Sequence, residues 1–215
     1  MDIETRHCGE IRALEDGDGR PIVEGYAAVF DSVTELWPGQ FEVIRAGAFT
    51  RTLKARADVR CLLNHDPNHV LARTKNGTLV LSEDDRGLHY RAVLDPTDSQ
   101  SMSDHAKIRS GRIDQSSFQF SIDGEGRGGG EKFGNWGDDG GRLREVLRCK
   151  LFDVSPVTFP AYEDSTVAAR AFRNAPQSDE NQTDLGEGKH TDPEPAFHSV
   201  PLLRMCSELI YRRIG

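Results

Sequence analysis

The stretch Asp114–Ile122, "DQSSFQFSI", constrains the fold more than any other part of this chain. Phe118, Phe120 and Ile122 recur at every second position, and Ser117, Gln119 and Ser121 fill the gaps. Only an extended chain sorts these residues into an apolar side and a polar side, because successive strand side chains point to opposite faces. Ser116 falls on the phenylalanine face and Ser117 on the polar one. A chain carrying such a strand is organised around a sheet with one buried face.

Other short runs extend that sheet. "PIVEGYAAVFDS" from Pro21 is strand-like, and "VRCLLNH" from Val59 is apolar and short enough for a buried strand. In "GTLVLSEDDRGLHYRAVLD", Leu79, Leu81, Leu88, Tyr90 and Ala92 alternate about the turn at 83–87, which predicts a hairpin. "RLREVLRCKLFDVSPVTFPAY" closes the domain with strand character. Two helices interrupt the strands. One is expected in "GAFTRTLKARA", where Phe49, Leu53 and Ala57 stand four apart. The second begins at an Asp98 or Ser99 cap and ends at Gly111. "GEGRGGGEKFGNWGDDGG", 124–141, is expected to be a long glycine-rich surface connection. The sum is a mainly β, α+β domain over residues 1–170: a compact β-barrel or sandwich with a few helices outside.

Composition changes beyond that domain. From Arg173 to Glu194 the aliphatic side chains are Ala175 and Leu185, among acids, amides, glycine and proline. Such a segment buries too little apolar surface to offset its ordering entropy. A disordered acidic linker is expected over 171–197. A short amphipathic helix follows over 198–215, with Leu202, Met205, Cys206, Leu209 and Ile210 in its stripe.

The net charge of −8 disfavours a general nucleic-acid binder. Cys8, Cys61, Cys149 and Cys206 are scattered, so no zinc pair or disulfide framework is indicated. No apolar run approaches the roughly 18 residues that span a bilayer, and the start lacks the apolar core of a signal peptide. These features predict a soluble protein of a reducing cytoplasm with no membrane or nucleic-acid partner.

Three stretches could carry chemistry. "HDPNH", 65–69, has the histidine spacing of a helical zinc site. Pro67 disfavours helix at that point and no third ligand stands out, so no metal is expected. His69 reads as a solvated or hydrogen-bonded loop residue. "GEGRGGG" lacks the strand-to-helix setting of a phosphate loop. Ser117, His65 and Asp153 have a joint logic, because a serine hydroxyl is a weak nucleophile needing a base and a group that orients the base. Spacing alone leaves that arrangement open.

Taken together, the blocks "IVEGYAAVFDS", "FEVIRAGAFTRTL", "LLNHDPNHVLART", "GTLVLSEDDRGLHYRAVLDPT", "DQSSFQFSI" and "VSPVTFPAYEDS" resemble the tailed-phage prohead protease family of capsid-maturing serine proteases. The likeness covers about Glu10 to Ala169. It implies a fold similar to the herpesvirus assemblins, a β-barrel surrounded by helices. It implies His65 as the base and Ser117 as the nucleophile. Gln119 stands where that family usually has glycine. The acid is assigned to Asp153, with Asp66 as runner-up. A carboxylate in that role departs from the assemblins, which use a second histidine.

The resemblance further implies a serine endopeptidase without cofactor, encoded by a phage or prophage and acting in the host cytoplasm inside an assembling procapsid. Its substrates would be the major capsid protein or a scaffolding protein, and the protease itself. Self-association is left open. Two rival readings remain: a non-catalytic scaffold or capsid-binding module on the same barrel, and a metal-dependent hydrolase built on His65, Asp66 and His69.

Overall fold

The computed structural model describes residues 3–124, 129–137 and 140–159, without the side chains of residues 7–9. The expected linker and C-terminal helix, and the boundaries at 170 and 197, lie outside these residues.

Twelve strands and two helices are present among the described residues. In chain order they are β1 (Glu4–Glu15), β2 (Pro21–Val29), β3 (Thr34–Trp37), β4 (Gln40–Ile44), α1 (Thr50–Lys54), β5 (Arg60–Leu62), β6 (Val70–Arg73), β7 (Leu79–Glu83), β8 (Gly87–Val93), α2 (Ser99–Arg109), β9 (Gln115–Ile122), β10 (Glu131–Trp136), β11 (Gly141–Val146) and β12 (Cys149–Val157). Eight strands form one sheet in the order β6-β5-β12-β9-β1-β2-β8-β7. The sheet curls until β6 packs against β8, which makes it a nearly closed barrel. β10, β11, β4 and β3 form a second, four-stranded sheet. The fold is mainly β, as the alternation in β9 predicts.

The interior follows from that alternation. Phe118 and Phe120 are buried in the core with Phe49, Val154, Leu151 and Tyr90. Phe118 stacks on Phe120 with ring centres 5.3 Å apart and meets Phe49 edge-on at 5.5 Å. Removing either ring should cost about 3–5 kcal/mol. Ser116 shares this face, and its hydroxyl bonds the Tyr90 hydroxyl at 3.2 Å.

The hairpin expected at 79–93 is β7–β8, and the strand from Pro21 is β2. α2 is capped by Asp98, whose carboxylate accepts from the N–H groups of Gln100 and Ser101. Gly111, at φ +71°, turns the chain away after it, a backbone position that only glycine holds without strain. The first helix is shorter than its periodicity predicts, five residues rather than eleven.

Two regions differ from expectation. The glycine-rich stretch is not loop throughout: β10 occupies Glu131–Trp136 and pairs antiparallel with β11. Its side chains are mostly exposed, so no apolar run marks it, and the ladder is made by backbone groups. β1 was hidden for the opposite reason. It is rich in charged residues, and of these Glu4 and Arg6 are buried.

Candidate active site

β9 and β12 run antiparallel with Ser155 opposite Ser117. A bulge between Leu151 and Asp153 shifts the register so that Asp153 faces Gln119. The inserted residue puts Asp153 on the same side of the ladder as Ser155 and Ser117. That side is opposite the phenylalanine core. The sequence therefore sorts an aromatic face and a chemical face from one alternating pattern.

His65 arrives from another direction. β5 pairs in parallel with β12, and the chain leaves it through Leu63 into a tight turn. Asn64 and His65 both adopt left-handed backbone angles, φ 52° and 59°. Such residues cost on the order of 1–3 kcal/mol each and persist only when the surroundings over-determine them. Here they do. The Asn64 N–H donates to the Pro156 carbonyl at 2.9 Å, and the Thr158 N–H donates to Asn64 Oδ1 at 2.8 Å. Within the turn, Leu63 N–H bonds the His69 carbonyl and His69 N–H bonds the Asp66 carbonyl. The histidine is thus pinned to the end of the strand that carries Asp153.

The resulting geometry is a line of three groups. His65 Nδ1 lies 2.7 Å from Asp153 Oδ1, and His65 Nε2 lies 2.7 Å from Ser117 Oγ. Asp153 Oδ1 also accepts a hydrogen bond from Ser155 Oγ at 2.8 Å. With the Nδ1 proton on the Asp153 side, Nε2 is left as an acceptor for the serine hydroxyl. Asp153 is buried, and the His65 side chain is 14% exposed. Cys61, beneath this group on β5, is fully buried, and burial followed by the Asp153 charge pushes its thiol far up. It stays neutral and offers no competing thiolate.

Ser117 has a second acceptor. Its Oγ is 2.7 Å from the Arg6 carbonyl on β1, the strand that pairs with β9 on its other side. A hydroxyl has one proton, so Ser117 donates to His65 or to Arg6 at any moment. Ser117 is also 0% exposed. A peptide carbonyl reaches Oγ only after the covering atoms part.

β1 is held beside the serine by a buried ionic network. Arg6 donates to Glu42 from Nε and Nη2, at 2.5 and 2.8 Å, and to Glu4 at 2.8 Å. Arg144 donates to both Glu4 oxygens at 2.5 and 2.7 Å, to Glu42 at 3.0 Å and to Glu131 at 2.6 Å. Burial alone would raise the Glu42 carboxyl, but the Arg6 and Arg144 guanidiniums outweigh it and hold the carboxyl below its ordinary range. The network joins β1 to β4, β10 and β11 of the smaller sheet, and nothing in the hydropathy pattern announces it.

The other sequence candidates sit apart from this line. Asp66 is exposed, and its carboxylate accepts from the backbone N–H and side-chain amide of Asn68, closing its own turn. His69 is held more firmly than a loop neighbour. Its Nδ1 is 3.2 Å from Gln100 Nε2, and its Nε2 is 2.6 Å from Asp104 Oδ2 although not aligned for a hydrogen bond. That contact docks α2 against the turn that carries His65. The two rings of "HDPNH" therefore engage different partners. Among the described residues no three His, Cys, Asp or Glu side chains converge as a metal site would require. Ser155 was not singled out in the sequence; its signal was only its place two residues after Asp153.

Comparison with known proteins adds a second line of information. The profile of the family described as caudovirus prohead serine protease matches residues 9–179. The prohead protease of Enterobacteria phage HK97 is 27% identical over 169 residues, 78% of this chain and 68% of that protein. The solved capsid assembly protease of bacteriophage T4 aligns with 73% of this chain and 97% of its own, at 15% identity and a TM-score of 0.45. The family match spans most of the chain and includes β9, β12 and the His65 turn. This chain belongs to the caudovirus prohead serine protease family.

Proposed function

We propose that this chain is a serine endopeptidase that matures capsids, with Ser117 as nucleophile, His65 as general base and acid, and Asp153 as the orienting carboxylate. The observation that carries this reading is the pair of 2.7 Å contacts on the two ring nitrogens of His65. Asp153 accepts the Nδ1 proton, which fixes the tautomer and leaves the Nε2 lone pair facing Ser117. His65 takes the hydroxyl proton as Oγ attacks a peptide carbonyl carbon. The imidazolium, stabilised by Asp153, gives that proton to the departing amine. Water then repeats the sequence on the acyl-enzyme and regenerates the serine. This chemistry calls for no metal or organic cofactor.

The substrates that suit the reading are the scaffolding segment of a major capsid protein, or a separate scaffold, cleaved inside an assembling procapsid. Cleavage of the protease chain itself fits the same chemistry. Complete burial of Ser117 fits a resting state that opens only when substrate is presented. Co-expression with its cognate capsid protein tests the proposal. Wild type should produce the processed capsid band, and Ser117→Ala and His65→Ala should not. Processing by both variants would defeat the serine-protease reading.

A further inference from the structure

We propose that Ser155 is a positioning residue for Asp153. It holds the carboxylate in the plane of His65 and tempers its charge. This proposal rests on the triad reading above. Ser155 is completely buried on β12, directly across the ladder from Ser117. A buried hydroxyl needs a partner, and the one it has is specific: the same Asp153 oxygen that receives the imidazole N–H. Asp153 Oδ1 thus accepts from Ser155 at 2.8 Å and from His65 at 2.7 Å.

Two consequences follow. The first is geometric. A carboxylate held by one imidazole can rotate about its terminal bond, whereas a second donor on the neighbouring face restrains that rotation. The second is electrostatic. A hydroxyl donor takes up part of the carboxylate's charge, so less remains to favour the imidazolium. Among the described side chains, His65 from the turn contacts this carboxylate, the Arg60 cation on β5 stands opposite Asp153 in the ladder, and the neighbouring Cys61 thiol stays neutral. The pH response of the site therefore passes through His65.

Removing the hydroxyl and removing the carboxylate charge should shift that response in opposite directions. Without Ser155, Asp153 is less neutralised, the imidazolium is favoured, and the acid limb of the rate profile moves to higher pH. Without the Asp153 charge the imidazolium is disfavoured and the limb moves to lower pH. Simple structural damage at Ser155 predicts no upward move.

The experiment measures kcat, KM and the pH profile of kcat/KM on a capsid-derived peptide spanning the processed junction, using full-length Ser155→Ala, Ser155→Thr and Asp153→Asn. For Ser155→Ala, kcat should fall about tenfold, as expected for losing a hydrogen bond to a charged group. KM should stay within about twofold and the acid limb should rise. Ser155→Thr keeps the donor and should restore both toward wild type. If Ser155→Ala does not melt cooperatively, Ser155→Cys replaces it, since the thiol keeps the shape but is a weak donor; a tenfold lower kcat supports the proposal and a wild-type kcat overturns it. An unmoved acid limb in Ser155→Ala, beside a strongly impaired Asp153→Asn, overturns the positioning role alone. A fully active Asp153→Asn sinks the triad reading instead.

Discussion

Ser117 and Ser155 face each other across the β9–β12 ladder, and their hydroxyls contact opposite ends of the same pair of groups. Ser117 meets the imidazole of His65, and Ser155 meets the carboxylate of Asp153. Two strands thereby supply three members of a four-residue line, and the turn after β5 supplies the fourth. The separation in sequence is large, 52 residues from His65 to Ser117 and 88 from His65 to Asp153. The curled sheet closes that distance.

The choice of acid is the first point open to test. Asp153→Asn leaves the shape of the site but presents an amide to His65, which favours the wrong tautomer. In serine proteases that change costs roughly 10⁴-fold in kcat. Asp66→Asn alters only a turn contact to Asn68 and should leave kcat within about threefold. Peptide hydrolysis by the two variants, each checked by thermal melting, decides between the carboxylates.

How much of this was legible beforehand differs by residue. Ser117 could be placed on a face from β9 alone, because the alternation there is strict. The identity of its partners could not be derived that way. Strand pairing between β5, β9 and β12 is long-range, and periodicity carries no register between distant segments. Family resemblance supplied His65 and Asp153, with Asp66 as the rival whose carboxylate closes its own turn. Ser155 carried only its place two residues after Asp153, and its meaning comes from the pairing of β12 with β9. β1 was missed because Glu4 and Arg6 look like surface residues, and only their partners on β4 and β11 explain their burial. The exposed strand β10 was missed because a ladder made by backbone groups leaves no apolar mark.

The ionic network makes a stability prediction. Arg144→Met removes the donor shared by Glu4, Glu42 and Glu131 and leaves two buried carboxylates to the single cation Arg6. Breaking a buried pair in this way costs about 3–5 kcal/mol. Urea unfolding of Arg144→Met against wild type measures it. A loss below about 1 kcal/mol would show that β1 is held chiefly by its ladder.

The same network sets a pH response. The folded-state pKa of Glu42 is lowered, so its contribution is present above the ordinary glutamate value, about 4.3, and is lost as pH falls through the folded value. Melting temperature should therefore drop as the solution is acidified below about pH 4. Glu42→Gln should be less stable at neutral pH and show a shallower acid dependence. Parallel curves for the two proteins would contradict the assignment.

Cys61 should be chemically silent in the native protein. Its thiol is buried beside Asp153, and both burial and that charge disfavour the thiolate. Peptide mapping after brief iodoacetamide treatment at pH 8 should find Cys61 unmodified when folded and alkylated in denaturant. Rapid native labelling would mean that β5 opens readily beneath the site.

The central claim is that His65 activates Ser117. A fluorophosphonate, which phosphonylates activated serines, tests it most directly when the modified residue is located by peptide mapping. The account predicts a single adduct on Ser117 in proteolytically active wild type and none in His65→Ala. An active enzyme phosphonylated elsewhere, or an adduct on Ser117 that forms equally fast in His65→Ala, would contradict it.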